Sequence, residues 1–274
     1  MSATPTGTTP ALHLRDVGMV FGGGGPRPVT ALDGIDLTVA PGELVSLIGP
    51  SGCGKSSLLR LMADLLSPTS GELQVDGGTA AQARLGRRYG MVFQAATLLD
   101  WRKVAANIEL PLEIMGVAKA ERRDRALQML RLVGLADFAE AYPWQLSGGM
   151  QQRVAIARAL AFRPSILLMD EPFGALDEMT RERMQAELLQ IWRESGTTIV
   201  FVTHSIPEAV FLSTRVVVMS PRPGRIADVV EVDLPRGRDD DTREEQRFFE
   251  LTTKVRDALR TVDAGAAVEP PVGA

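Results

Sequence analysis

The chain has 274 residues, of which 34 are acidic, 30 are basic, 45% are hydrophobic and one is a cysteine. This length suits one large domain with a substantial apolar core, and one cysteine excludes an intramolecular disulfide framework, which favours a reducing, cytosolic compartment. A net charge of −4 without a block of basic residues argues against a surface that neutralises nucleic-acid phosphates, so we expect no nucleic-acid partner.

The first eleven residues, 1–11, are rich in Thr and Pro. They lack the cationic start and the apolar stretch of a signal peptide, so we expect a disordered tail. No run in the chain approaches the roughly 18 apolar residues that cross a bilayer. The sequence therefore predicts that any membrane role depends on a partner.

Short apolar runs without polar alternation are typical of strands that are buried on both faces. The chain has four of them: Leu44–Ile48, Ile166–Met169, Ile199–Val202 and Val216–Met219. Segments with helical character lie between these runs: Ser56–Leu66, Met150–Leu160 and Thr180–Glu194. This alternation predicts an α/β fold with a mostly parallel sheet covered by helices.

Two further regions are helical in pattern. The stretch from about 95 to 155 separates the first strand and helix from the later strands, and we expect it to form an inserted α-helical subdomain. In the C-terminal extension, 231–274, Thr242–Glu245 has the spacing of a capping box. Apolar residues then recur at helical intervals and predict one amphipathic helix that packs on the core: Phe248, Leu251, Val255 and Leu259.

A phosphate-binding loop is predicted directly after the first buried run. The sequence Gly-Pro-Ser-Gly-Cys-Gly-Lys-Ser matches G-x-x-x-x-G-K-[ST] between a strand and a helix, the two contexts that this motif requires. Backbone N–H groups of such a loop converge on phosphate oxygens, Lys55 reaches the terminal phosphates and Ser56 ligates Mg²⁺. The predicted nucleotide-binding residues here are Gly49, Pro50, Ser51, Gly52, Cys53, Gly54, Lys55, Ser56 and Ser57.

Polar residues also follow two later buried runs, where open α/β sheets bind ligands. Asp170 is the predicted Mg²⁺ ligand and Glu171 the predicted general base, since paired carboxylates at a strand end can divide these two tasks. The alternative is a solvated acidic pair. His204 is predicted to sense the γ-phosphate, although a lone histidine is more often structural.

The sequence Leu-Ser-Gly-Gly-Met-Gln, residues 146–151, precedes a predicted helix. Ser147 and the two glycines would leave the N-terminal helix end open to a phosphate, although a plain N-cap is the simpler interpretation. Because the chain already has one phosphate loop, a second anion-binding helix end suggests that it engages the nucleotide of another molecule.

Together these motifs, in this order over roughly residues 12–225, resemble the ATP-binding subunit of ABC transporters. The resemblance implies a P-loop NTPase core with an N-terminal antiparallel β subdomain, an ATP-binding domain over 12–230 and ATP with Mg²⁺ as cofactors. It also implies that Gln94 is the Q-loop glutamine, which links Mg²⁺ and the attacking water to the helical subdomain, and that His204 is the switch histidine. By the same resemblance, residues 146–151 are the signature motif and residues 175–177 the D-loop. Five of these residues are then expected to contact ATP held by the opposite subunit: Ser147, Gly148, Gly149, Gln151 and Asp177.

A finer resemblance lies in residues 93–101 and in the run VVVMSPRPGRI, residues 216–226. These look like the importer subfamily for nitrate, sulfonates and taurine, although pyrimidine-precursor and riboflavin importers share much of the pattern. The resemblance implies a homodimer, membrane permease subunits, an indirect solute-binding protein and a peripheral location on the cytoplasmic side of the membrane. The alternative is a soluble ABC-type ATPase of DNA repair or translation.

The sequence does not define the roles of three residues: Phe21, Ser205 and Cys53. Phe21 is expected to stack on adenine, but a core phenylalanine is nearly as good an interpretation. Ser205 stands where the family commonly has Asp, which leaves the setting of the switch open. Cys53 lies beside Lys55, and a reactive thiol there would make the ATPase sensitive to alkylation and protected by MgATP. A small space-filling cysteine is the alternative.

Overall fold

A computed structural model of the protein describes residues 9–25 and 27–266. The described strands are β1 (Leu12–Phe21), β2 (Val29–Val39), β3 (Leu44–Ile48), β4 (Ser70–Val75), β5 (Gly78–Thr79), β6 (Tyr89–Val92), β7 (Ile166–Asp170), β8 (Thr198–Val202), β9 (Arg215–Met219) and β10 (Ile226–Glu231). The α-helices in this part of the chain are α1 (Lys55–Met62), α2 (Ala80–Leu85), α3 (Val104–Ile114), α4 (Lys119–Leu132), α5 (Gly148–Leu160), α6 (Glu178–Ser195), α7 (Ile206–Leu212) and α8 (Gln246–Ala266).

The predicted parallel sheet forms, in the order β10-β9-β3-β8-β7-β6. Strand β3 lies in parallel between β8 and β9, with Leu47 opposite both Val202 and Val217, and β10 closes the edge in antiparallel. Every residue of β3, β7 and β8 is buried, which explains why these strands have no polar alternation. Because β3, β7 and β8 run parallel, their carboxyl ends lie at the same edge of the sheet.

A second sheet lies at the N-terminus, with the antiparallel order β2-β1-β4-β5. Its pairing sets Leu12 opposite Val39 and Leu14 opposite Leu37, so these apolar side chains enter one core. The structure thus has the antiparallel β subdomain that the resemblance implied. Ala11, at the end of the expected tail, is 2% exposed and its N–H donates to the carbonyl of Val39, so ordered structure begins before residue 12; residues 1–8 lie outside the described residues.

Between β6 and β7 the chain forms α3, α4 and α5, in the stretch where the helical subdomain was expected. Ile108, Leu130 and Val154, one from each helix, are fully buried in a common cluster. Helix α5 also contacts β6, so it joins the inserted helices to the parallel sheet.

The C-terminal helix α8 contains the predicted apolar stripe. Phe248, Leu251 and Val255 are buried on the core, and α8 packs on α7, β9 and β10. The predicted capping box at Thr242 is wrong: its Oγ1 donates to Asp239 Oδ1 at 3.0 Å and accepts from the Asp239 N–H. A short 3₁₀ turn, Asp241–Arg243, therefore precedes α8, and Thr242 closes a local turn with the residue three positions before it.

In the described part of the chain, no helix combines the length and the apolar composition that crossing a membrane requires.

Candidate functional site: a nucleotide cleft at the carboxyl edge of the sheet

The predicted phosphate loop joins β3 to α1. Lys55 is 5% exposed, and its Nζ donates to the carbonyls of Gly49 and Pro50, each at 2.8 Å. Gly54 has φ +104°, and a Cβ at this position would lie 2.6 Å from Leu32 Cδ2. This backbone conformation and this lack of space both require glycine.

The loop borders an open cleft of about 490 Å³. The residues on its wall come from β1 and β2, from the phosphate loop and α1, and from the segments that follow β6, β7, β8 and β9: Phe21, Val29, Ala31, Ser51, Gly52, Gly54, Lys55, Ser56, Ser57, Gln94, Glu171, His204 and Arg222. Phe21 is 40% exposed on this wall and is therefore not a core residue. The predicted residues Gly49, Pro50 and Cys53 belong to the loop but do not line the cleft.

The thiol of Cys53 lies on the buried side of the phosphate loop, away from the cleft. Cys53 is 1% exposed, and its Sγ is 3.6 Å from Lys55 Nζ. An alkylating reagent would have to displace packed atoms to reach this sulfur. The structure thus favours the space-filling interpretation of Cys53, and its reactivity stays a prediction.

Ser56 and Asp170 form a pair of oxygen donors at the foot of the cleft. Ser56 Oγ donates to Asp170 Oδ1 at 2.9 Å, across 114 positions of sequence. Burial raises the pKa of the Asp170 carboxyl, while the hydrogen bond from Ser56 lowers it. A hydroxyl and a carboxylate in contact suit Mg²⁺, which takes few protein ligands and completes its shell with phosphate and water. No group of three or more His, Cys, Asp or Glu among the described residues forms a larger metal cage.

The side chain of Glu171 enters the cleft where β7 ends. Its backbone has φ +47°, a conformation that is uncommon outside glycine and that turns the chain out of the strand. The Gln94 amide donates to Glu171 Oε2 at 3.1 Å, and His204 Nε2 lies 2.6 Å from Glu171 Oε1. Three residues that are far apart in sequence therefore meet at one carboxylate.

Ser205, the residue after His204, is the N-cap of α7. Its Oγ accepts from the Glu208 N–H at 3.3 Å at the start of α7. Glu208 is itself buried and accepts hydrogen bonds from Thr203 and from Gln185 Nε2, the latter at 2.9 Å. A serine at position 205 thus performs the capping role that Asp also performs at helix N-termini.

The signature residues lie apart from the cleft. Ser147 is exposed, and its Oγ accepts from the Met150 N–H at 3.3 Å as the N-cap of α5. Gln151 Nε2 donates to the Pro143 and Leu146 carbonyls, and Asp177 Oδ1 caps α6 through the Thr180 N–H.

Within this chain the signature and the D-loop contact each other rather than the phosphate loop. A Cβ at Gly149 would lie 3.2 Å from the Ala175 carbonyl oxygen, so the two segments pack closely. Ser147, Gly148, Gly149, Gln151 and Asp177 are all absent from the cleft wall. One copy of the chain therefore presents two separate halves of the predicted ATP site.

Sequence reasoning missed Arg222, which lines the cleft, and the buried carboxylate of Glu208. Arg222 lies in the run Val216–Ile226, which the sequence analysis used only for the resemblance to an importer subfamily. Glu208 gave no signal, because its partners Thr203 and Gln185 come together only in the folded chain.

The chain matches the model of the ABC transporter family over residues 32–174. An ABC transporter ATP-binding protein of Methanocaldococcus jannaschii is 48% identical over 91% of both chains. The taurine import ATP-binding protein TauB of Rhizobium johnstonii is 46% identical over 86% of this chain and 92% of its own. The nitrate import ATP-binding protein NrtD of Synechocystis is 45% identical, with coverages of 91% and 95%.

Solved structures give the same likeness. A dimeric ATP-binding cassette in a post-hydrolysis state, bound to ADP and Pi, superposes with a TM-score of 0.75 at 36% identity. The match covers 82% of this chain and all of that chain.

Proposed function

Because this chain belongs to the ABC transporter family of ATP-binding proteins, we propose that it hydrolyses ATP to energise import of a small solute through a partner permease. The observation that carries the proposal is the meeting of Gln94, Glu171 and His204 at the end of a cleft that begins at a phosphate loop. The phosphate loop can bind the phosphates, and the Glu171 carboxylate lies at the far end of the same cleft.

In the proposed reaction Glu171 accepts a proton from the attacking water. Gln94 and His204 contact the two carboxylate oxygens of Glu171 and orient them. The second role of Gln94 is to bind Mg²⁺ together with Ser56 and Asp170. When bound, Mg²⁺ neutralises charge on the terminal phosphates. Lys55, which folds onto its own loop carbonyls, is expected to turn toward the phosphates of ATP.

We propose that two copies pair head to tail and that each supplies the signature helix to the other's phosphate loop. Two observations support this. Ser147 and Gly148 of the signature are exposed yet lie outside the cleft of their own chain, and the solved relative reported above is dimeric. Such pairing would bind two ATP molecules between the copies.

Coupling to the permease is proposed to pass through the segment that follows β6. Gln152 Nε2 donates to the Phe93 carbonyl at 3.0 Å, and Arg158 donates to the Ala96 and Thr97 carbonyls. Helix α5, which begins at the signature, therefore holds both sides of Gln94. Nearby Trp101 is 76% exposed and gives the permease an apolar contact.

For the solute, we propose a small anion such as a sulfonate or nitrate, on the basis of the relatives named for taurine and nitrate import. Pyrimidine-precursor or riboflavin-type compounds are the alternative. A solute-binding protein would deliver the solute, and the chain would lie on the cytoplasmic face of the inner membrane. The relatives reported above give no support to a soluble role in DNA repair or translation.

The test is to purify the chain with its membrane complex and reconstitute the complex in vesicles. We expect a multi-span membrane protein to copurify, and ATP hydrolysis to rise when the binding protein and taurine, or nitrate, are added. Stimulation by DNA or ribosomes without a membrane partner would contradict the proposal. Stimulation by riboflavin or a pyrimidine precursor alone would keep the transport function and reject the anionic solute.

A further inference from the structure

Arg222 lies on the loop between β9 and β10 and lines the nucleotide cleft. Of the lining residues, only Lys55 and Arg222 carry a permanent positive charge. Lys55 donates to its own loop, whereas Arg222 is exposed and makes no hydrogen bond or ion pair within the described residues. The cleft thus contains a cationic group that the proposed reaction does not use.

The loop that carries Arg222 is fixed against the phosphate loop. The Gly224 N–H donates to the Ala31 carbonyl at 2.9 Å, and the Asp33 N–H donates back to the Gly224 carbonyl at 3.1 Å. A Cβ at Gly224 would lie 1.9 Å from the Cys53 carbonyl oxygen, so this close approach requires glycine. These contacts hold the backbone beside Arg222 at one flank of the phosphate loop.

The sheet order shows which flank this is. Strand β3, which leads into the phosphate loop, lies between β9 on one side and β8 and β7 on the other. Glu171 and His204 follow β7 and β8, whereas Arg222 follows β9. Arg222 therefore approaches from the side away from the carboxylate, and Phe21, Val29 and Ala31 of the β1 and β2 wall line the same cleft.

We infer that Arg222 binds the α-phosphate of the nucleotide. The inference rests on the proposed ATP site, in which the γ-phosphate faces Glu171 and His204. A guanidinium pairs with phosphate oxygens through two parallel N–H donors, and Arg222 has no other described partner that would compete. Arg222 is then a binding residue for both ATP and ADP, since both carry the α-phosphate.

The experiment measures dissociation constants for MgADP and MgGDP by calorimetry, and for MgATP in a Glu171→Gln background that prevents turnover. Arg222→Ala is compared with Arg222→Lys, with Lys55→Ala and with Arg256→Ala, an exposed arginine of α8 outside the cleft. Unchanged thermal midpoints verify that each variant is folded.

We expect Arg222→Ala to weaken ATP, ADP and GDP by the same factor, about tenfold, which is the size expected for a charge-assisted hydrogen bond. Arg222→Lys should recover part of this loss, and Arg256→Ala should change nothing. Unchanged affinities for Arg222→Ala would overturn the inference. A loss for ATP alone, or for ADP but not GDP, would also overturn it, by assigning the contact to the γ-phosphate or to the base.

The two proposals fail in different ways. If the parent chain binds no nucleotide, or if Lys55→Ala binds as well as the parent, the proposed ATP site is wrong. If Lys55→Ala loses binding while Arg222→Ala keeps it, the ATP site stands and only the role of Arg222 is wrong.

Discussion

The imidazole Nε2 of His204 lies 2.6 Å from Oε1 of Glu171, although 33 positions of sequence separate the two residues. The Gln94 amide holds the other carboxylate oxygen of Glu171. Parallel strands bring the three together, because β7 and β8 are neighbours and β6 lies beside β7. Both neighbours therefore orient the carboxylate that we propose as the general base.

Glu171→Gln should lower the rate of ATP hydrolysis by about 100-fold or more, because an amide cannot accept the proton of water. ATP binding should remain, and the variant should accumulate as an ATP-loaded dimer. Phosphate release and size-exclusion chromatography with ATP measure the two effects. Glu244→Gln, at an exposed residue outside the cleft, is the matched control. Hydrolysis at the parental rate would exclude Glu171 as the base.

Asp170→Asn should raise the Mg²⁺ concentration needed for half-maximal hydrolysis by about tenfold or more, since the amide is a weaker ligand for a hard cation. Ser56→Ala should act in the same direction. The measurement is the rate of hydrolysis at fixed ATP across a Mg²⁺ titration, with exposed Asp137→Asn as the control. An unchanged Mg²⁺ requirement in both variants would show that the metal is held elsewhere.

Glu208 should make stability depend on pH. Burial raises its pKa above the ordinary 4.5, against the hydrogen bonds from Thr203 and Gln185 and the charges of Arg181 and Arg243. Between the two pKa values the folded state holds a proton that the unfolded state has lost. This contribution to stability is therefore present below pH 4.5 and is lost as the pH rises through the folded pKa.

Denaturant unfolding of the parent and of Glu208→Gln from pH 4 to 8 tests this expectation. The difference in the free energy of unfolding between the two proteins should shift in favour of the variant as the pH rises. A difference that is constant over this range would show that Glu208 titrates normally.

Arg238→Ala should destabilise the fold by roughly 3 kcal/mol, because a buried guanidinium with several partners is removed. Arg238 is 4% exposed and donates to the carbonyls of Phe211 and Ser213, at 2.7 and 2.8 Å, at the C-terminal end of α7. Burial lowers the pKa of this guanidinium to about 10. Arg238→Lys should recover only part of the stability, since an ammonium lacks the planar fork. Unfolding midpoints measure both changes, and a loss below 1 kcal/mol for Arg238→Ala would contradict this role.

Local sequence predicted the elements whose cause is local. Leu44–Ile48 shows no polar alternation because the strand is buried on both faces, and the phosphate loop follows from its own motif. The predicted end of the first helix was wrong: the helix ends at Met62 rather than at Leu66, and Asp64 just beyond it has φ +51°. At Thr242 the sequence matched the capping-box motif, but the Thr242 hydroxyl donates to the carboxylate of Asp239 instead.

The parts that the sequence did not predict depend on distant pairs. Arg222 reaches the cleft only because Gly224 packs on the phosphate loop, some 170 positions away. Glu208 is charged and lies in a helix, a pattern that usually indicates an exposed residue. Its burial results from Gln185 and Thr203, which tertiary packing brings to it.

Two copies are proposed to complete each other's ATP sites, and complementation tests this pairing most directly. Lys55→Ala breaks the phosphate loop and Ser147→Arg blocks the signature, so each variant alone should be inactive. A mixed dimer has one site with both defects and one intact site. We predict that mixing the two inactive proteins restores ATP hydrolysis, to about a quarter of the parental rate if sites act independently. If the mixture stays inactive although mixed dimers form, or if Ser147→Arg alone hydrolyses ATP normally, the shared site is contradicted.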